Sequence, residues 1–475
     1  MADALDADLA YTPALELARR IRARELSPVE LVELYLRRIE RYDPLLNSFI
    51  TVAADQALAA ARLAEKRIGE PDLPPFHGVP VSIKDLIDTA GIRTTYATAA
   101  WKERVPKTDA AVVTKLKTAG FIVLGKNNTP EFAGGIYTEP LAYGACRNPW
   151  NPAFSPGGSS GGSGSSQAAG LCAIALGGDD GGSIRIPSGW CGLFGVKPSR
   201  GRVSAAPDPA ALYYTPGPMA HSVADAAAML DAISGYVTGD WWWAPSPARS
   251  FLDEVGEDPG QLRIAFTTTG ADGVDVVPAN VVAVHDTAHL LEGLGHTVEE
   301  VTDWPGRGLF PDDRAVPLHV IYGAYLAAKI DLGVAPPVET LEPGQQLLVD
   351  LGRQAKATDL VVADRLSAET CREVVAFFDR YDVFLTPVIA TQPSRVGEFA
   401  EHPENSLRLM SAIQFTPQFS VTGQPAVSVP CRLDDDGIPV GVQLVGRPAD
   451  EATLFRVSRQ LELASPWAGR RPALT

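Results

Sequence analysis

The sequence predicts an α/β fold: an α/β/α sandwich on a large mixed, mostly parallel central sheet. Helix-like segments alternate with short apolar runs of strand length, the pattern of parallel strands joined by helical crossovers. Two such runs near the end, 425–431 and 440–446, flank the turn sequence DDDG and read as antiparallel neighbours, which makes the sheet mixed. A chain of 475 residues that is 45% hydrophobic and 21% charged can bury a core of the size this requires.

Taken in order, residues 27–42 read as a helix. Ser27 is placed as N-cap, Pro28 as first helical residue and Glu30 as the partner that closes a capping box. A second helix is expected over 109–119, capped by Thr108 and stopped at Gly120, with a strand at 121–125 directly after it. Ser222 and Asp225 open a helix that ends at Gly235. A strand at 262–266 precedes a helix over 278–294, and the final helix begins around Asp450. The stretch 236–370, with WWWAPSP and several Pro/Gly breaks, reads as an elaboration that shapes a pocket or a surface within a single domain spanning 1–475.

Lys and Arg number 41 against 57 Asp and Glu, a net charge of −16, which speaks against general affinity for nucleic acid or an anionic membrane. Five widely spaced cysteines, without a C-x-x-C pair or a His/Cys cluster, favour reduced buried thiols over a disulfide framework or a zinc site. No signal-peptide pattern opens the chain, and no apolar run reaches the roughly eighteen residues of a membrane span. A soluble, cytoplasmic protein is expected.

Residues 155–200 hold most of the chemistry. Glycine and serine crowd both ends of this stretch, yet the apolar run 168–176 lies between them, which a solvated linker has no use for. Two Gly-Gly-Ser elements, centred on Ser159 and Ser183, are therefore expected on an ordered core. Acyl transfer needs a nucleophile, a base and donors for an oxyanion. Backbone N–H groups at Asp180, Gly181, Gly182 and Ser183 could converge on one oxygen; a tight turn capped by Ser183 at a helix start is the other reading. Gly157-x-Ser159-x-Gly161 matches a nucleophile elbow in form, but loop sequence rather than a strand precedes it. His221, His285, His289, His296, His319 and His402 all follow Ser159, none in a recognisable catalytic setting. Lys84, after the strand-like GVPVSI, is the next candidate base, because burial brings a lysine toward the neutral form. Its competing reading is a strand-end lysine that snorkels to solvent and pairs with Asp85 or Asp88.

In order along the chain, GVPVSIKD, GGSSGGSGSS and GGDDGGSIRIPSGWCGLFGVKPS resemble the amidase signature family. The likeness continues through TPGPMAHSVADAAAMLDAI, TGQPAVSVPC and PVGVQLVGRPADEATL, leaving mainly 236–370 uncovered. The resemblance implies the amidase signature fold and hydrolysis of the C–N bond of an amide. It further implies a triad of Ser183 as nucleophile, Ser159 as bridging serine after a cis Gly158–Ser159 bond, and Lys84 as base. An acyl-enzyme would form, with no metal or organic cofactor. Asp179 and Arg185 match family positions and are expected to pin the catalytic loop by charge-assisted hydrogen bonds, and Ser160 is expected to help in the same way.

The small-molecule amide is expected to be bulky, apolar or aryl, with carbamates as a side activity. Trp241–Trp243, with Tyr137, Phe154, Tyr213 and Tyr214, are expected to line an apolar or aromatic pocket, with Gly135, Tyr137, Gly158 and Trp241 contacting the substrate; for Trp241–Trp243 a packing cluster is the alternative. The enzyme would act as monomer or homodimer. A rival within the family is the A subunit of a glutamyl-tRNA amidotransferase, but Ile186 stands where such subunits carry Gln after Ser-Ile-Arg. Asp180 departs from the small neutral or hydroxyl residue common before Gly-Gly-Ser. Its side chain is expected to point away or be paired; if it faces the site, it would weaken the oxyanion hole or select positively charged substrates.

Overall fold

A computed structural model describes residues 8–208, 213–271, 274–306, 318–401 and 411–474; His402 lies outside them, and so does the side chain of His319. The described strands form one eleven-stranded sheet. They are β1 (Phe49–Val52), β2 (Pro80–Lys84), β3 (Ile122–Asn127), β4 (Ile174–Asp179), β5 (Phe194–Lys197) and β6 (Thr215–Ala220), followed by β7 (Arg263–Phe266), β8 (Thr297–Glu300), β9 (Val383–Pro387), β10 (Ala426–Leu433) and β11 (Pro439–Gly446). Their spatial order is β1-β3-β2-β4-β6-β5-β10-β11-β9-β7-β8.

The sheet is mixed, as expected, but the parallel majority is corrected. Only β2–β3, β2–β4, β7–β8 and β7–β9 pair in parallel; the other six neighbour pairs are antiparallel. Parallel pairing needs long crossovers, and these serve the two flanks. In the middle of the sheet the pairs are antiparallel whether the return is direct, as in the β10–β11 hairpin at DDDG, or joins distant parts of the chain, as in β5–β10.

Alternation of side chains along the strands shows why helices cover both faces. Val383 and Leu385 enter one core with Leu454, Phe455 and Val457 of the helix Glu451–Ala464, whereas Phe384 enters a second core with Ile186 and Trp190. Leu444 and Val445 divide in the same way.

Most helix boundaries follow their local signals. Ser27 accepts from Val29 N and Glu30 N at 3.1 and 3.4 Å, and its helix, Pro28–Leu46, runs past the expected end to a left-handed Asn47. Ser222 accepts from Asp225 N, opening Val223–Ile233, and Asp450 from Thr453 N. Thr108 is not a cap: that helix is Ala111–Thr118 with Ala110 at its N-cap. Asp109 instead accepts from Ala90 N and pairs with Lys117, tying two loops together.

The stretch 236–370 contributes β7, β8 and the helix Pro278–Gly293 to the sheet and its first core. Its later helices, Leu318–Asp331, Pro343–Gln354 and the start of Ala357–Phe377, extend the fold elsewhere. The first two cross closely, because a β-carbon on Gly352 would lie 2.1 Å from Ala324 N. Leu326 and Val349 pack with Phe132, Tyr96 and Trp101, which lays this pair of helices over the loops that follow β2 and β3.

Candidate active site

The short helix Gly161–Ala168 (GGSGSSQA) is built from poor helix formers, so packing rather than propensity holds it. Its glycines permit approaches that no side chain would allow: a β-carbon on Gly162 would stand 2.3 Å from Asn128 N, and one on Gly161 2.2 Å from Thr138 Oγ1. The serines turn inward, with Ser163 Oγ donating to Leu176 O and Ser165 Oγ to Arg147 O. This anchors the segment before it, including the cis peptide Gly158–Ser159, near the C-terminal ends of β2 and β4. Gly158 also lies against the backbone of Gly135–Tyr137, 2.9 Å from its β-carbon position to Tyr137 N.

Lys84 is the last residue of β2 and is fully buried. Its Nζ donates to Ser159 Oγ at 2.6 Å and to Gly178 O, on β4, at 3.1 Å. Burial brings its pKa down to about 7, against the opposing pull of the Asp179 and Asp180 carboxylates. The surface ion-pair reading is set aside. Asp85 accepts from Thr95 N and Thr95 Oγ1, and Asp88 is paired with Arg104.

Asp179 and Arg185 form a buried ion pair at 2.8 Å. Burial alone would raise the Asp179 carboxyl, but the Arg185 guanidinium outweighs it and holds the group below the usual carboxylate range. Arg185 also donates to Thr416 O, Gln443 Oε1 and Ser420 Oγ, which fastens the loop to the far side of the site. The carboxylate accepts in turn from Gly182 N at 2.8 Å and Ile184 N at 3.0 Å. This corrects one expectation: the Gly182 N–H is engaged by Asp179 and holds the loop in shape. Gly181 N and Ser183 N have no partner among the described residues. Ser160 bridges both sides, since its Oγ exchanges hydrogen bonds with Gly178 O and Gly178 N and its N–H donates to Ser183 O at 3.2 Å. Ser183 does not cap the helix that follows it, Arg185–Cys191, whose N-cap is Ile184.

Lys84, Ser159, Ser160, Asp179 and Arg185, with the 180–183 loop, are thus brought together, with Gly135, Tyr137 and Gly158 alongside. Tyr137 stacks near Phe399, ring centroids 4.2 Å apart. Trp241 is not brought in. It is 76% exposed, while Trp242 stacks under Arg200 and Trp243 meets Tyr236 edge-on, so these tryptophans form a surface cluster. His221 and His296 contact Gln167 O and Gln460 Oε1 in the packing of the core. Among the described residues no group of three or more His, Cys, Asp or Glu is placed to hold a metal ion, and all five cysteines are free.

Sequence reasoning missed Tyr322, Tyr325 and Lys329. They lie at i, i+3 and i+7 on the helix Leu318–Asp331, a stripe that shares one face. The spacing was readable, but nothing local said where that face would point.

Residues 30–455 match the Amidase family model. The chain is 40% identical to the protein AmiB2 of Mycobacterium tuberculosis over 98% of this chain and 99% of that one. Its fold is similar to that of 6-aminohexanoate cyclic dimer hydrolase solved with substrate, with TM-score 0.89, 32% identity and coverage of 98% and 99% of the two chains. A bacterial aryl acylamidase aligns with TM-score 0.86 and 26% identity, covering 97% and 99%.

Proposed function

Because the chain belongs to the amidase signature family and is an amidohydrolase, we propose that it cleaves carboxylic amides through Ser183, Ser159 and Lys84. The observation that carries this is the 2.6 Å hydrogen bond between a fully buried Lys84 and Ser159, at the end of a strand and beside the Ser183 loop. A lysine drawn to about 7 supplies a neutral amine at working pH. In that form Nζ takes the Ser159 proton while Ser159 takes the proton of Ser183, whose Oγ attacks the carbonyl carbon. The N–H groups of Asp180, Gly181 and Ser183 receive the oxyanion. Collapse expels the amine, which leaves with the relayed proton, and water hydrolyses the acyl-enzyme through the same relay. Bulky, apolar or aryl amides are the proposed substrates, carbamates a side activity; similarity to an aryl acylamidase supports this.

Labelling with a serine-directed fluorophosphonate, followed by peptide mass mapping, tests the reading. The adduct is expected on Ser183. An adduct on Ser159 alone would overturn the assignment of roles, and no adduct together with no turnover would overturn the mechanism. Turnover is expected from the chain alone, without glutamine.

The pH profile supplies a second test. Since Lys84 must be neutral, kcat/KM is expected to rise with pH through about 7 and level off above about 8. A profile flat from about pH 5 to 8 would remove Lys84 as the base.

A further inference from the structure

We propose that Asp180 selects amides bearing a positively charged amino group and binds the ammonium in a tyrosine-lined recess beside Ser183. This rests on the amidase reading above and narrows its substrate class.

The antiparallel β4–β6 ladder ends at Asp179 and Thr215, so Tyr213 and Tyr214, just before β6, lie near the residues that follow β4, and the Asp180 charge acts on both. Tyr214 packs onto Gly178, where a β-carbon would stand 2.2 Å from its hydroxyl oxygen. That hydroxyl is buried and has no hydrogen-bond partner among the described residues. The helix Leu318–Asp331 supplies another wall through Tyr322, Tyr325 and Lys329. It is tied down by Tyr322 Oη donating to Phe132 O and by the 2.6 Å pair of Lys329 with Asp208.

Within these walls the Asp180 carboxylate is solvent-accessible and makes no hydrogen bond or ion pair among the described residues. The nearby cations are engaged elsewhere: Lys84 by Ser159 and Gly178, Arg185 by Asp179, Lys329 by Asp208, and Arg200, which lies over Tyr213, by Val421 O and the Trp242 ring. Its negative charge acts on Tyr213, Tyr214, Tyr322 and Tyr325, whose hydroxyls burial and this charge together hold above their usual pKa. Although its side chain reaches solvent, the protein packed around it and the neighbouring Asp179 charge lift the Asp180 carboxyl to about 6, against the pull of Lys84 and Lys329, which leaves it mostly ionised at neutral pH.

An unneutralised carboxylate three residues from the nucleophile opposes the charge that develops on the substrate oxygen. A substrate ammonium cancels that opposition, forms a charge-assisted hydrogen bond and finds aromatic faces around it. A neutral substrate of the same shape does none of these.

The test compares ω-amino acyl p-nitroanilides of increasing chain length with fatty acyl anilides of matching length. Wild type is expected to favour the best cationic member by about 10- to 100-fold in kcat/KM. The ratio should fall to near one in Asp180→Asn and persist in Asp180→Glu; because each ratio is internal to one enzyme, general losses cancel. As a measurement needing no variant, alkylammonium ions are expected to inhibit wild type competitively and more tightly than the matching alkanols. Wild-type turnover of neutral anilides with no cationic preference would overturn the proposal and leave the amidase reading standing. A preference that survives in Asp180→Asn would also overturn it. Absence of turnover of every anilide would fall on the amidase reading. In that case calorimetry with alkylammonium decides the recess: binding lost in Asp180→Asn upholds it, and no binding overturns it.

Discussion

Ser183→Ala is expected to lower amide kcat/KM by about 10^4- to 10^6-fold while leaving the fold and its unfolding midpoint unchanged. The two halves of this expectation have separate causes. The hydroxyl is the attacking atom of the proposed mechanism, so its loss removes the covalent route. Ser183 Oγ makes no hydrogen bond among the described residues, so its loss leaves no stranded partner. Lys84→Met is expected to be nearly as damaging to turnover, because Ser159 then has no base to pass its proton to. The same substitution keeps most of the side-chain volume but leaves the buried Ser159 hydroxyl without its partner, so the variant should lose about 1–3 kcal/mol of stability while keeping the fold. Residues that act as one relay are not additive, and the double variant should be no slower than Ser183→Ala alone. Steady-state kinetics with an aryl amide, read beside urea denaturation, checks all three. More than about one per cent of wild-type activity in purified Ser183→Ala would sink the assignment.

Arg185→Leu should have the largest effect on stability. It strands the Asp179 carboxylate, fully buried and within reach of Gly182 N and Ile184 N but without its cation, at a cost of about 3–5 kcal/mol. It also frees Thr416 O, Gln443 Oε1 and Ser420 Oγ from their shared donor, loosening the loop that carries Ser183. Turnover should therefore fall along with the denaturation midpoint. Adding Asp179→Asn is expected to recover part of the stability and none of the activity, since it removes the stranded charge but not the disorder of the loop. A single variant within about 0.5 kcal/mol of wild type would show that the pair is not what holds the loop.

Much of the site was legible because its signals are local. Lys84 follows an apolar run, and Ser159 and Ser183 sit in glycine clusters that no linker would interrupt with 168–176. Helix starts such as Ser27 and Ser222 were readable because a cap acts on residues two or three positions away. Thr108 misled because Asp109 found partners in Ala90 and Lys117, which no local rule anticipates. The parallel majority failed for a related reason: strand neighbours are chosen across long stretches of chain, as where β5 and β6 insert between β4 and β10. Trp241 failed as a pocket residue because aromatic character reports the capacity to be buried, not the place.

By itself, the sequence determined which residues could do chemistry and the broad α/β class, since residue type and short-range periodicity are properties of the chain. Only the tertiary structure decided how they meet. It brought Lys84 to Ser159 across 75 positions, engaged the Gly182 N–H with Asp179, and put the Asp180 charge within reach of the tyrosines just before β6 and of those on the helix Leu318–Asp331. The physical reason is that hydrogen bonds and charges act over a few ångströms of space, and distance along the chain does not say which groups will share it.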